Sequence, residues 1–473
     1  MLFNSFKYIV FLPILLLFYF VLPAKAKNYW LLLCSYFFYM SWNAVYGILL
    51  LACTVVSYAG AMLIQKEKNR KIILAVTLLL LFSSLAFYKY TNFILQNLFR
   101  VLRFAGIHSS VTLDIILPVG ISFFTFQAAG YVIDVYRKEI DAEKNFFNYA
   151  LFVSFFPQLV AGPIERSRNL LRQFDTCKKF DFDRAKDGVL IMLWGYFLKM
   201  VLADRAAIFV NNAYAHPYDT EGMSLIFATV FFAFQIYGDF YGYSLIAKGS
   251  ARILGFDLMD NFKSPYCALN VQDFWRRWHI SLSTWFRDYV YFPLGGSRCS
   301  KLRTSFNIIA VMALSGLWHG AGWHFIAWGI LHGVLQVADR ITHGVQEKLP
   351  KMLRRFATFF WICIGWCLFR APSLKTALYS LKDMGGFILK HRRIHDFYNM
   401  GLGWTELKML YFSILLLMAV DALNYKGVYV RSLIQKRSAF TQILIFSFSV
   451  VFIVAVGVWG GEYNAADFIY FQF

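Results

Sequence analysis

The stretch that decides the architecture runs from Thr304 to Ala338, TSFNIIAVMALSGLWHGAGWHFIAWGILHGVLQVA, and contains no Asp, Glu, Lys or Arg. A membrane-crossing helix needs about 20 mainly apolar residues. The run is therefore long enough for nearly two passes, or for one pass and a re-entrant piece. Three histidines interrupt it, His319, His324 and His332, and the first is bracketed by Gly316, Gly320 and Gly322 and by Trp318 and Trp323. An ionisable side chain inside a membrane segment is costly and marks a candidate site.

Working outward, charge-free runs recur at 8–22, 29–64, 72–88, 115–133, 145–164, 222–238, 356–369 and 439–461. Weaker runs lie at 188–203, which holds Lys199, and at 409–420. The pattern predicts an all-α polytopic membrane protein with about eleven or twelve membrane segments, several short or broken. Composition agrees. Of 473 residues 59% are hydrophobic and 16% charged, with 51 Phe, 28 Tyr and 13 Trp, and the mean hydropathy is +0.52. A soluble protein of this length would split into several domains with far more charge. The chain instead reads as a single membrane-embedded domain over 1–473, without a long hydrophilic segment or internal repeat.

Net charge is 47 − 27 = +20. In a soluble domain that excess would suggest nucleic acid; here it predicts basic cytoplasmic loops held against anionic lipid. Lys66, Lys68, Arg70 and Lys71 form one such loop, Lys348, Lys351, Arg354 and Arg355 another, and 164–186 carries seven basic residues against four acidic. With 29–64 as two passes, this places the N-terminus outside. A second reading reserves part of the charge for an anionic substrate, such as a phosphate-bearing thioester. The first apolar run ends Ala24-Lys25-Ala26, as a signal peptidase site does, but only Lys7 precedes it and further spans follow at once, so it reads as a retained first helix.

Seven cysteines form no CxxC pair and no zinc spacing, and Cys363 and Cys367, one helical turn apart, read as apolar packing. No metal site or structural disulfide is implied. P-loop, HExxH, GxSxG and strand-borne GxGxxG patterns are absent, which removes support for ATP hydrolysis, zinc proteolysis, elbow-serine hydrolysis and dinucleotide binding.

Four segments carry polar residues in apolar surroundings. A neutral imidazole at His319, with small residues for close approach and Trp318 and Trp323 to exclude water, suits a general base acting on a hydroxyl; a core histidine bonded across helices is the alternative there and at His324 and His332. In 271–289, VQDFWRRWHISLSTWFRDY, helical spacing puts Trp275, Trp278, Leu282, Trp285 and Tyr289 on one aromatic face. Arg276, His279, Ser283 and Arg287 fall on another, and the helix ends at Pro293, Gly295 and Gly296. Such a helix fits the membrane interface as an anchor, or else Arg276, Arg277 and Arg287 meet phosphates while His279 points to a reaction centre. Phe155-Phe156-Pro157-Gln158 and Ala161-Gly162-Pro163-Ile164-Glu165-Arg166 suggest a kinked or re-entrant segment. Gln235 to Ser244 places Asp239 at the expected end of a span.

At these residues the sequence resembles the membrane-bound O-acyltransferase family, and within it the alginate O-acetyltransferase-like subgroup. The resemblance is carried by Phe155-Phe156-Pro157 through Gly162-Pro163-Ile164, Asp239-Phe240 with Gly242-Tyr243-Ser244, and Phe274-Trp275-Arg276-Arg277-Trp278-His279 on to Phe286-Arg287-Asp288-Tyr289. It continues through Pro293-Leu294-Gly295-Gly296 and Trp318-His319-Gly320 to the ending Phe468-Ile469-Tyr470-Phe471-Gln472-Phe473. The resemblance implies His319 as catalytic histidine, His279 as a second active-site histidine, and helices packed around a central tunnel. It implies acetyl-CoA as acyl donor entering from the cytoplasm, no tightly bound cofactor, and a hydroxyl acceptor reached from outside. An extracytoplasmic acetyltransferase partner and a multi-pass place in the cytoplasmic (inner) membrane are implied as well. Arg276, Arg277, Arg287, Trp318, Trp323 and Asp239 are the candidate substrate-binding residues. Tyr241 and Leu245 stand where the family usually has a small and often an acidic residue. Peptidoglycan O-acetylation, D-alanyl transfer to teichoic acid and a non-catalytic acetyl-donor transporter are the competing functions.

Overall fold

Helices supply all the regular structure of the described residues, 1–106, 111–160, 162–390 and 397–459, of this computed structural model. Ala161 and the ending Phe468–Phe473, which carry part of the resemblance, lie outside those residues. Among the described residues five helices are each long and apolar enough to cross a bilayer: Val45–Lys66, Arg70–Phe104, Gly222–Ile253, Lys351–Arg370 and Ala439–Val456. The all-α polytopic architecture read from the charge-free runs is the one observed.

The two longest runs each resolve into a pair of helices. Residues 29–64 divide between Ala24–Met40 and Val45–Lys66, and 304–338 between Lys301–His319 and Trp323–Gln346. Each break falls where local chemistry interrupts apolar helix, at Ser41–Ala44 and at Gly320–Gly322. The Phe155-Phe156-Pro157 segment is broken as its proline predicts, into Phe146–Ser154 and a single turn, Phe156–Leu159.

Backbone packing groups the chain into two compact units, Met1–Ala185 with Ser250–Met259, and Lys186–Gly249 with Asp260–Phe473. In the first, Val45–Lys66 packs on Arg70–Phe104 and Ile121–Tyr136. Its interior is aromatic: the rings of Tyr131 and Tyr149 lie 4.4 Å apart, and the Tyr149 hydroxyl donates to Ser57 Oγ at 2.7 Å. Ser250–Met259 is fixed within this unit by Asp257, which pairs with Arg184 at 2.8 Å and Arg252 at 2.7 Å.

The second unit is organised by glycine. Helix Phe182–Tyr196 runs into a π-helix, Phe197–Ala203, and the two cross Gly222–Ile253 with backbones nearly touching. A Cβ on Gly195 would stand 2.7 Å from the carbonyl oxygen of Gly242, and one on Gly249 2.5 Å from that of Gly188. Small residues that let backbones meet are the usual currency of helix association in lipid. This contact corrects the reading of Asp239. The helix does not end near it but continues to Ile253, and Asp239 is buried mid-helix. Its partner is Lys199, on the π-helix, at 2.6 Å, and the same ammonium reaches Asp204 at 2.7 Å. A buried carboxylate is tolerated there because a buried cation meets it at hydrogen-bond distance.

Candidate active site

The site is built on the second unit by two structures of different kind. The first is the hairpin of Lys301–His319 and Trp323–Gln346. Its helices meet through Gly316, Gly329 and Gly333: a Cβ on Gly316 would overlap the carbonyl oxygen of Phe325, and one on Gly329 that of Met312. This contact brings His319, the last residue of its helix, beside Trp328 on the facing helix, with ring centres 5.1 Å apart. Trp318 and Phe369 close on the same imidazole at 4.9 and 5.4 Å, and only 4% of His319 is exposed.

The second is the 271–289 segment, and here the sequence reading is corrected. It is not one helix but two, Val271–Arg277 and Ile280–Phe286, followed by a π-turn over Arg287–Tyr291. At the break His279 adopts φ 43° and ψ 53°, the left-handed conformation that a residue with a Cβ rarely takes. Asn261 makes the break tenable. Its carbonyl accepts from Ile280 N–H at 2.9 Å, its Oδ1 from Ser281 N–H at 3.3 Å, and its Nδ2 donates to Ser244 Oγ at 3.3 Å.

The break separates groups that a continuous helix would align. His279 is fully buried, 0% exposed, against the Phe240 ring at 4.6 Å, whereas Arg276 and Arg287 are exposed. Arg277 is engaged by Asp273 at 2.7 Å and lies over the Tyr425 ring, and Arg287 pairs with Asp288 at 2.8 Å. Trp275, Trp278, Leu282, Trp285 and Tyr289 are buried in protein, so they form core and not a surface belt. Trp278, for example, packs between Phe274 and Trp366 at 5.4 and 5.0 Å.

The two structures meet at their histidines. The rings of His279 and His319 have centres 6.2 Å apart, and Trp318 touches both, lying 5.9 Å from His279. Imidazoles at that separation can contact one small group held between them, which is what acid–base work on a hydroxyl requires. Trp323, expected to help exclude water, is 51% exposed, because the turn at Gly320–Gly322 places it on the outer side of the first turn of its helix. His324 packs on Phe325 apart from this pair. Sequence reasoning does not mark Asn261 or Phe369 as site-forming residues, and it meets Phe240 only as part of the Asp239-Phe240 motif.

The sequence pattern of the membrane-bound O-acyltransferase family matches residues 80–381, a span that contains both histidines and the elements that hold them. The chain belongs to this family. It is an acyltransferase by membership, and the likeness to alginate O-acetylases expected from the motifs is found across most of its length. The chain is 38% identical to a probable alginate O-acetylase of Azotobacter vinelandii, over 79% of this chain and 75% of that protein. It is also 38% identical to a peptidoglycan O-acetyltransferase of Helicobacter pylori, over 82% and 80%. A teichoic acid D-alanyltransferase of Streptococcus thermophilus is more distant, 29% identical over 53% of this chain and 68% of that protein. Within the membrane-bound O-acyltransferase family the histidine pair sits in the matched core, while the helices before Leu80 and after Leu381 lie beyond it.

Proposed function

We propose that this protein is a multi-pass O-acetyltransferase of the cytoplasmic membrane that takes acetyl groups from acetyl-CoA and delivers them for O-acetylation of an extracytoplasmic polysaccharide. The observation that carries the reading is the enclosure of His319 and His279, 6.2 Å apart, within one aromatic wall. His319 serves as the general base. Its imidazole takes the proton of the acceptor hydroxyl as that oxygen attacks the thioester carbonyl carbon. The C–S bond of the resulting tetrahedral intermediate then breaks, and the thiolate leaves with the proton that His319 returns. His279 orients the acceptor and meets developing charge from the other side.

The rings of Trp318, Trp328 and Phe369 keep bulk water from the thioester, whose hydrolysis would waste the donor. Arg276, exposed and outside the buried pair, suits the phosphates of coenzyme A better than Arg277 and Arg287, which Asp273 and Asp288 hold. Delivery to a polymer outside the membrane calls for an extracytoplasmic acetyltransferase partner. The relatives named for alginate and peptidoglycan stand at equal identity, and acetyl is the group their names share.

Replacing His319 by Ala tests the reading. Surface-glycan O-acetyl content, measured on cells with unchanged amounts of the protein in the membrane, is expected to fall about 10²-fold or more. Unaltered acetylation would falsify the assignment. Recovery of D-alanine in place of acetate from the modified polymer would move the protein to the aminoacyl branch.

A further inference from the structure

The chemistry above needs two imidazoles at one separation, yet they stand on different elements. One helix reaches both. On Trp323–Gln346 the residues Trp328, His332, Gln336 and Asp339 follow at spacings of four, four and three, and so share one face. At its start this stripe meets His319, through the Trp328 ring at 5.1 Å. Along the rest of its length it holds Val271–Arg277, the short helix whose chain reaches His279 two residues later.

The contacts run antiparallel, and each has a donor and an acceptor. Asp339 Oδ2 accepts from the backbone N–H groups of Val271 at 2.7 Å and Gln272 at 3.1 Å, while its Oδ1 accepts from Gln346 Nε2 at 2.9 Å. First-turn N–H groups find no acceptor within their own helix, so a carboxylate from another helix completes them. Next, Gln272 Nε2 donates to the Gln336 carbonyl at 3.0 Å. At the other end the Trp275 indole N–H donates to Nδ1 of the fully buried His332 at 3.4 Å, and the Trp275 ring meets Trp328 edge-on at 5.5 Å. An indole nitrogen can only donate, so His332 Nδ1 is the acceptor. The same imidazole is backed by helix Lys351–Arg370, where a Cβ on Gly365 would stand 2.6 Å from Nε2.

A helix of seven residues is not stable by itself, so its place is whatever its neighbours give it. We propose that Asp339 and His332 are positioning residues for acyl transfer: by fixing Val271–Arg277 along the helix that carries Trp328, they set the separation of His279 from His319. The proposal rests on the acyl-transfer reading above. Both residues act through His279 and not on the substrate. Asn261 braces the chain just after His279, and this seam braces it just before. The precision matters, because a shift of about 1 Å between reacting groups can cost about 10²-fold in rate.

The test uses the full-length protein in native membranes, with acetyl-CoA consumption as readout and the amount of folded protein measured alongside. Asp339→Ala removes the acceptor from both backbone N–H groups, and His332→Phe keeps a ring but takes the acceptor from Trp275. Each is expected to lower kcat about 10- to 100-fold while KM for acetyl-CoA changes less than about 3-fold. Asp339→Asn retains an oxygen at the same place and is expected to recover most of the loss. If Asp339→Ala does not accumulate, His332→Phe carries the same comparison with packing nearly unchanged.

A double-mutant comparison separates positioning of His279 from general loosening. Asn261→Ala frees His279 from its other side, so adding His332→Phe to it is expected to cost less than about 3-fold more in kcat, well short of the product of the two single losses. Unchanged kcat in both Asp339→Ala and His332→Phe, a rise in KM alone, a loss matched by an equal loss of folded protein, or fully multiplicative losses would each overturn the positioning role. Those results, alongside a dead His319→Ala enzyme, would leave the acyl-transfer reading standing. A fully active His319→Ala enzyme would remove that reading instead.

Discussion

The two histidines are held in opposite ways. His319 ends a regular helix, and its place is set by contacts between helix backbones at Gly316, Gly329 and Gly333. His279 sits in an irregular, left-handed backbone braced by hydrogen bonds that the N–H groups of Ile280 and Ser281 donate to Asn261. The first arrangement depends on atoms being absent, the second on atoms being present. Adding a methyl group should therefore damage one, and removing an amide the other.

The largest effect is expected where absence is violated. Gly329→Val would drive a side chain into the carbonyl of Met312, force the hairpin apart, and cost about 3 kcal/mol. The thermal unfolding midpoint of the solubilised protein should drop accordingly, with activity lost. An unchanged midpoint would show that the hairpin contact is not what fixes His319. Asn261→Ala comes next, at about 2 kcal/mol, because the buried Ser281 N–H loses its acceptor. Its activity should fall by more than its unfolding midpoint predicts, since His279 loses its support while the His319 hairpin stays whole.

A smaller difference separates His279→Gly from His279→Ala. Both lose the imidazole, but glycine accepts φ 43° without strain, so the glycine variant should unfold at higher temperature, by about 1 kcal/mol in stability. Equal stabilities would mean that the left-handed backbone is not strained here. The smallest effect has the opposite sign: Gly344→Ala, where a Cβ would meet nothing within 4 Å, should stabilise the hairpin helix by up to about 1 kcal/mol. A loss comparable to that of Gly329→Val would break the link between backbone contact and glycine.

The same contrast decides what could be read in the sequence. The hairpin was legible, because a long charge-free run with a Gly-Ala-Gly interruption can fold as two helices meeting at small residues. The 271–289 segment was not. Its spacing fits one amphipathic helix, and nothing local announces that His279 breaks it, since the compensating groups lie at Asn261, outside the window of helical periodicity. Trp275, Trp278 and Trp285 were misplaced for the same reason: aromatic residues suit a membrane interface and a protein core equally, and only packing separates the two. Asp239 is not readable as a lone charge, because its partner Lys199 lies 40 positions earlier. Family likeness names His279 and His319 each as an expected active-site residue; periodicity within either segment could not supply the contact between them.

The π-helix at Phe197–Ala203 has a consequence for how this region can tolerate change. A π-turn holds one residue more than an α-turn, as if a single codon had been inserted into an older helix. Deleting one residue within it would restore ordinary winding and swing the preceding helix by about 100° against the helix after it. Gly195 would leave its crossing with Gly242, and Lys199 would be carried away from Asp239 or Asp204. Point substitutions there adjust a contact, whereas a one-residue deletion re-indexes the whole helix crossing.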